Sequence, residues 1–278
     1  MFEKIERDDD IFQSKAFLKD SMAFCLMDSI REDTEKYPEA RLFSDGKDCI
    51  IVNSDPNHSI IVWTTDNFKA KDELFDFIKQ EFKANHPIKI MSKKEFYDYL
   101  LENHKIPNLK VQTLGVYSCP KLNDVKYVGH PDNARPEEVE MVAQMLVNFG
   151  KETGENPNAQ LSDCLKTAQD FVSVPMHCVW RDDEGKMVAI AKLKTNVKYP
   201  RISEVYTWPQ ERGKSYAKML VHYLTDQALK NGKTPMLFTD YDYEPSNRCY
   251  QAIGYELNCT IVNFIPPLQN KIKVRERE

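Results

Sequence analysis

Apolar positions recur at helical spacing through residues 11–36, at Phe12, Ala16, Phe17, Met22, Phe24, Met27 and Ile30, and the pattern stops before Pro38. This spacing predicts a helix. Two β-branched runs, DCIIVNS and HSIIVWTTD, flank the turn-forming DPNH and predict a hairpin. KAKDELFDFIKQEFKAN returns to a helical period, IKIMS reads as a short strand, KKEFYDYLLEN as a second helix and VQTLGVYSC as a strand. The first half is therefore α/β and ends near Pro120.

In DVKYVGHPDNARPEEVEMVAQML, Asn133 or Pro136 can start a helix whose first turn carries Glu137 and Glu138, charges suited to that end of the helix dipole. GKETGENPN breaks the pattern and AQLSDCLKTAQDFVSV resumes it as another amphipathic helix. MHCVWRDDEGKMVAIAKLKT is the clearest hairpin of the chain, with its turn at Asp183, Glu184 and Gly185. RISEVYTW is a third strand, GKSYAKMLVHYLTDQALKNG a long helix closed by Gly232, and TPMLFTDYD a further strand. EPSNRCYQAIG is a short helix ending at Gly254, and YELNCTIVNFI is the last strand. From residue 124 the order reads β-α-α-β-β-β-α-β-α-β. Both halves place a helix and a strand after a hairpin, a hint of internal duplication. In the long helix, Tyr216, Met219, Leu220, Tyr223, Leu224 and Leu229 form the core-facing stripe, with Lys218 and Lys230 solvated. The closing KIKVRERE reads as a solvated, mixed-charge tail.

The chain has 278 residues, 41% of them hydrophobic, which suits two folded α/β domains, residues 1–120 and 121–278. With a net charge of −5 and both signs interspersed, no chain-wide field recruits nucleic acid or an anionic membrane. No stretch approaches a membrane span, and MFEKIERDDDIF lacks the apolar core of a signal peptide, so a soluble, cytoplasmic protein is expected. Seven cysteines without a CxxC, and six histidines without HxxxH or HExxH, point to reduced, mostly buried thiols and no metal site.

One short segment carries chemistry. EVYTWPQERGKSYA passes from a strand signal through a turn with a single glycine into a helix. Such a bend presents backbone N–H groups with no intrahelical acceptor at the positive end of the helix dipole, an anion site best suited to phosphate. Gly213 allows a conformation or close approach that a side chain would hinder, while Arg212 and Lys214 add charge. Neither the P-loop nor the dinucleotide spacing is present. The plain alternative is a tight turn flanked by solvated charges.

WPQERGKSYAKML followed by SNRCYQAIGY resembles the GNAT superfamily of acyl-CoA-dependent N-acyltransferases, in particular the branch whose catalytic half is similar to glycine N-acyltransferase. Gln210, Gly213 and Ser215 occupy the positions of the family's Gln/Arg-x-x-Gly-x-Gly/Ala loop, with serine a departure. Ser246, Asn247, Tyr250, Gly254 and Tyr255 fit its later motif, where Tyr243 replaces an asparagine. The resemblance spans residues 124–265. It implies a C-terminal GNAT-like mixed sheet flanked by helices, and it makes the N-terminal α/β domain a candidate degenerate copy. It further implies that EVYTW splays from TPMLFTD so that pantetheine adds like a strand along Val205 and Thr207. The 212–216 amides, from Arg212 through Gly213, Lys214 and Ser215 to Tyr216, would hold the pyrophosphate, with Asn247 lining the pantetheine path.

Acyl transfer to an amine needs a base for the ammonium, donors for the developing oxyanion and an acid for the departing thiolate. Tyr250 matches the position that serves many family members as acid; the alternative is an aromatic that packs the short helix on the sheet. Donors for the oxyanion come from the Val205–Thr207 backbone. Glu204 is the chosen base, its alternative a solvated strand-edge charge; Asp240 and Asp242 are weaker candidates, and His177 reads as a core or surface histidine. NFKAKDE, the first half's counterpart of the loop, has no glycine and is not expected to hold a second CoA. That half is read as a wall of the acceptor cleft or as a purely stabilising or dimerising domain. The expectation is an N-acyltransferase moving an acetyl or short acyl group from acetyl-CoA or another short acyl-CoA to a primary amine of a small molecule, without metal, nucleic acid or membrane and with a homodimer left open. The alternative is a non-catalytic CoA-binding or interaction protein.

Overall fold

The computed structural model describes residues 1–55, 59–82, 88–104, 110–195 and 197–266. The turn of the expected first hairpin falls partly outside them at residues 56–58, and the mixed-charge tail wholly so. The chain divides into two compact units: Met1–Val116 with Asp240–Asp242 and the described residues from Cys259, and Tyr117–Thr239 with Tyr243–Asn258.

The elements run β1 (Glu3–Lys4), α1 (Lys15–Asp20), α2 (Cys25–Glu32), β2 (Arg41–Ser44), β3 (Cys49–Asn53), β4 (Ile60–Thr64), α3 (Lys71–Glu81), β5 (Ile90–Ser92), α4 (Lys94–Asn103) and β6 (Lys110–Ser118). They continue with β7 (His130–Asp132), α5 (Val139–Thr153), α6 (Leu161–Ser173), β8 (His177–Arg181), β9 (Met187–Lys194), β10 (Arg201–Thr207), α7 (Tyr216–Lys230), β11 (Met236–Asp240), α8 (Glu244–Ile253) and β12 (Glu256–Phe264). Short 3₁₀ turns aside, the order β-α-α-β-β-β-α-β-α-β occurs twice. The expected order from residue 124 is thus present, and the first half repeats it.

The single helix expected over residues 11–36 is instead a 3₁₀ turn at Asp10–Gln13 followed by α1 and α2. Polar side chains inside the apolar stripe break it. Ser14 accepts from the Phe17 amide and starts α1, and Ser21 turns back onto the Leu18 carbonyl at 2.9 Å. β2, which the sequence reading passed over, pairs in full antiparallel register with β3, from Arg41↔Asn53 to Ser44↔Ile50.

In the first unit the sheet order is β1-β2-β3-β4-β5, followed by the part of β12 from Cys259. β3 and β4 pair without a register shift, and β4 runs parallel to β5 through Ile60↔Ile90, Ile61↔Met91 and Val62↔Ser92. Cys49, Ile51, Ile60 and Val62 pack under α3 and α4, on Leu74, Phe75, Ile78, Phe96 and Leu100. On the other face Trp63 meets Phe17 edge-on, and its indole donates to Asp20 at 2.9 Å.

The second unit has the order β7-β8-β9-β10-β11, antiparallel as far as β10 and parallel between β10 and β11. Two apolar layers cover it. α7 and α8 bring Met219, Leu220, Leu224, Tyr250 and Ile253 onto Val188, Ala189, Ala191, Leu193 and Ile202. α5 and α6 bring Val142, Leu146 and Phe171 onto Val179, Ile190 and Tyr206. On α7 the buried stripe is Tyr216, Met219, Leu220, Val221, Leu224, Thr225 and Ala228, while Tyr223 and Leu229 are half-buried at its border. Arg181, only 1% exposed, is locked by Glu138 at 2.8 Å and Asp132 at 2.6 Å. Glu138 also accepts from the Arg135 amide, so one carboxylate caps the entry to α5 and neutralises a buried guanidinium. Gly254, at φ 116°, lets the chain pass so close that a Cβ there would lie 2.3 Å from the Lys121 carbonyl oxygen.

Candidate active site

The site begins with a defect in β10. Its pairing with β9 is regular through Ser203↔Lys192 and resumes one residue out of step at Tyr206↔Ile190, so Glu204 and Val205 together oppose a single β9 residue. Glu204 carries the bulge at φ 54°, an uncommon conformation for a residue with a side chain. On the other side β10 pairs with β11 only at Arg201↔Met236 and Ile202↔Leu237. From Ser203 the two strands diverge, as the resemblance implies, and the edge of β10 from Ser203 to Thr207 has no register partner on β11.

Beyond β10 a 3₁₀ turn at Pro209–Glu211 leads into the bend. Gly213 sits at φ 81° and Ser215 at φ 65°, left-handed values on either side of Lys214 that turn successive N–H groups toward one side. The first backbone bond into α7 is Met219 N–H to Ser215 O at 3.0 Å. Among the described residues, the amides of Gly213 and of Ser215 to Lys218 make no main-chain hydrogen bond. Nothing lies within 4 Å of where a Gly213 Cβ would stand, so this glycine serves the backbone angle and the space above it is open. Ser215 holds a left-handed angle that glycine adopts without strain, which gives the family's preference for a small residue there a physical reason.

The flanking cations are not simply solvated. Lys214 Nζ binds Glu211 at 2.8 Å, and Lys186 binds the other oxygen of the same carboxylate. Hydrogen bonds from Lys186 and Lys214 hold Glu211 below the usual carboxylate range. Arg212 lies over the Tyr206 ring at 5.3 Å, donates to Thr207 O at 3.2 Å and pairs with Glu152 at 2.7 Å, while Tyr206 Oη donates to Glu152 at 3.0 Å. Gln210 is exposed at the lip of the bend. The sequence reading missed Glu152, Lys186 and Glu211; the last stands inside the loop motif, and only its burial between two lysines reveals its part.

Alternation places the remaining candidates. Val205 packs against the α7/α8 layer that contains Tyr216 and Tyr250, whereas the next residue, Tyr206, belongs to the α5/α6 layer. Tyr250 is 8% exposed and its hydroxyl makes no hydrogen bond to another described residue. Burial pushes its phenol well above the ordinary tyrosine value. Asn247, one turn earlier on α8, is buried beside it in sequence register. Glu204 is joined to Lys192, whose neighbours Ala191 and Leu193 face α7, so Lys192 and its partner belong to the α5/α6 face. Acid and base candidates therefore lie on opposite faces of the sheet, separated by the gap in which β10 leaves β11. Thr207 is buried with an Oγ1 that meets no partner among the described residues.

His177, on β8, pairs in register with Lys192 and packs against Phe171 with ring centroids 5.3 Å apart. Burial, then Lys192, lowers its pKa. Asp240 and Asp242 belong to the first unit, where Asp240 accepts from Gln112 at 3.1 Å. All seven cysteines are free thiols. Among the described residues no cluster of His, Cys, Asp or Glu could hold a metal ion, and no helix is long and apolar enough to cross a membrane.

Residues 146–255, which contain the bulge, the bend and α8, match the family described as Acetyltransferase (GNAT) family. That stretch is similar to a GNAT acetyltransferase domain. The family to which that stretch is similar uses acyl-CoA as its co-substrate. Solved structures extend the likeness in fold to nearly the whole chain. A GCN5-related N-acetyltransferase from Sphaerobacter thermophilus aligns at TM-score 0.68 and 14% identity, over 98% of this chain and 96% of that one. An acetyltransferase of the GNAT family from Colwellia psychrerythraea aligns at TM-score 0.58 and 15% identity, over 96% and 99%. A tandem GNAT protein from the clavulanic acid biosynthesis pathway aligns at TM-score 0.59 and 10% identity, over 98% and 99%, in keeping with the element order that occurs twice here. No curated protein matches the sequence.

Proposed function

We propose that residues 121–278 form the catalytic half of an N-acyltransferase that moves an acetyl or other short acyl group from acyl-CoA to a primary amine of a small molecule, by direct attack on the thioester. The observation that carries this reading is the set of amides of Gly213 and Ser215 to Lys218, which make no main-chain hydrogen bond among the described residues, at the end of a strand that has parted from its neighbour. Those amides, with Gln210, Arg212, Lys214, Ser215 and Tyr216 around them, suit a diphosphate. The bare edge of β10 along Val205 and Thr207 suits the amide-bearing pantetheine arm, which would pass Asn247.

The catalytic roles follow from the two faces. Glu204, on the α5/α6 side, takes the proton of the acceptor ammonium directly or through water. Backbone N–H groups of the Val205–Thr207 segment meet the charge that develops on the carbonyl oxygen. Tyr250, on the α7/α8 side, gives its proton to the departing sulfur; its raised pKa keeps it protonated, and its hydroxyl makes no hydrogen bond to another described residue. Attack from one face and departure toward the other fits a planar thioester held in the gap.

The first unit is assigned no catalytic role. Its β3–β4 ladder has no bulge, its β4–β5 pairing continues through three register pairs, and the loop into α3 lacks glycine. A partner domain that adds specificity or stability suits it. The likeness of the motifs to the glycine N-acyltransferase branch favours a small acceptor over a protein one.

Thiol release from acetyl-CoA across amines, amino acids, polyamines and aminoglycosides tests this function. Acceptor-dependent release that Tyr250→Phe abolishes, with CoA affinity retained, is the expected result. CoA binding without release for any amine would make the protein a binding module.

A further inference from the structure

The proposed base already holds an amine. Lys192 Nζ is ion-paired to Glu204, and at 22% side-chain exposure this lysine is withdrawn from solvent, unlike Lys186, Lys214 and Lys230 at 52%, 56% and 67%. Its register partner on β10 is Ser203, the first residue beyond the last β10–β11 pair, so Lys192 stands one strand away from the gap and level with its start. Two further proton acceptors surround it. Glu204 Oε2 is buried without a hydrogen-bond partner among the described residues, and so is His177 Nδ1, on the residue directly across the β8–β9 ladder.

A structural ion pair does not require this placement. A Lys–Glu pair that only stabilised β9 against β10 would be served by regular strand geometry, yet here the carboxylate comes from a residue at φ 54°, a conformation that residues with a side chain rarely adopt. An amine beside a base, one strand away from the opening where an acyl donor is expected and level with it, is an arrangement suited to acyl transfer.

We propose that Lys192 is a self-acylation site, a reading that rests on the acyltransferase function assigned above. Lys192 gives up an ammonium proton toward Glu204, and its nitrogen lone pair forms the C–N bond to the acyl carbon. The C–S bond breaks and the thiolate takes a proton from Tyr250; of the two protons that the nitrogen loses to Glu204 and His177, one returns through water to the Tyr250 phenolate and the other passes to solvent. One acyl thioester and one lysine ammonium become one amide, one free thiol and one released proton. The amide carries no charge, so Glu204 is then free to receive the ammonium of an external acceptor.

The test is incubation of the purified full chain with acetyl-CoA and no acceptor, followed by peptide mass mapping over time. One acetyl group is expected on Lys192, at a rate independent of protein concentration and at least about tenfold faster than on exposed Lys230. The label is expected to vanish in Lys192→Arg and to slow at least about tenfold in Tyr250→Phe. Lys192 unmodified, labelled no faster than Lys230, or labelled equally fast in Tyr250→Phe overturns the proposal; the wild-type rates alone decide this should a variant fail to fold. Thiol release with the amine panel, run in parallel, separates the two claims. Turnover with Lys192 unmodified sinks the self-acylation alone, whereas neither turnover nor CoA binding sinks the function with it.

Discussion

Two glycines at left-handed angles should respond to alanine in opposite ways. Gly213→Ala adds a methyl where nothing lies within 4 Å, so its cost is conformational alone. A left-handed residue with a Cβ costs about 1–2 kcal/mol. The smaller entropy of the unfolded chain returns about 0.4–1 kcal/mol, for a net loss near 1 kcal/mol or less. Gly254→Ala meets the Lys121 carbonyl oxygen at 2.3 Å and Asn123 N at 3.3 Å, both backbone atoms that cannot rotate aside. Overpacking adds about 1–3 kcal/mol to the same net strain, for a total of about 1–4 kcal/mol. For coenzyme affinity the order reverses. If the bend relaxes so that one or two amides leave the diphosphate, each bond to a charged group lost costs about 1.5–3 kcal/mol, or tenfold or more in Kd. Urea denaturation and calorimetric titration with CoA, run on both variants, measure the two effects. Gly213→Ala that keeps wild-type CoA affinity while adopting the native fold would refute the reasoning, because it would take the bend out of the phosphate site.

Further outcomes follow from the same geometry. Tyr250→Phe should lower kcat by about a hundredfold or more while leaving the denaturation midpoint nearly unchanged, since the hydroxyl has no hydrogen bond within the described protein to lose. Burial raises the phenol pKa of Tyr250 and of Tyr255, so above the ordinary tyrosine value of about 10 the unfolded chain releases protons that the folded chain keeps. Stability should therefore be unaffected by these groups below that pH and fall as pH rises past it; denaturation between pH 9 and 11, compared with a Tyr250→Phe, Tyr255→Phe double variant whose decline is shallower, checks the sign. Arg181→Ala strands the buried part of Glu138 and should cost about 3–5 kcal/mol by urea denaturation.

What the sequence made legible was mostly local. Gly185 and the polar residues before it mark the β8–β9 hairpin, and the single glycine between RISEVYTW and YAKML marks the bend. The bulge also left a trace. Regular alternation would put Ile202, Glu204 and Tyr206 on one face, but Ile202 and Val205 share the α7/α8 side, an odd spacing that only an extra residue allows. Other features rest on partners distant in sequence. Arg212 looks like a free cation until Glu152, on α5, is seen to hold it, and Lys192 is an ordinary strand lysine until the bulge turns Glu204 toward it. The breaks between α1 and α2 were hidden because Ser14 and Ser21 sit inside an otherwise unbroken apolar stripe. Nor does any local pattern say that the end of β12 completes the sheet of the first unit beside β5.

The claim on which the functional account depends is that the main chain after Gly213 grips a diphosphate. Gly213 is one of only nine glycines, so selective ¹⁵N-glycine labelling makes its amide resonance readable during titration. That resonance is expected to move to saturation with CoA and to stay in place with pantetheine, which has the same arm without the diphosphate. A Gly213 resonance unmoved by saturating CoA, or moved equally by pantetheine, would contradict it.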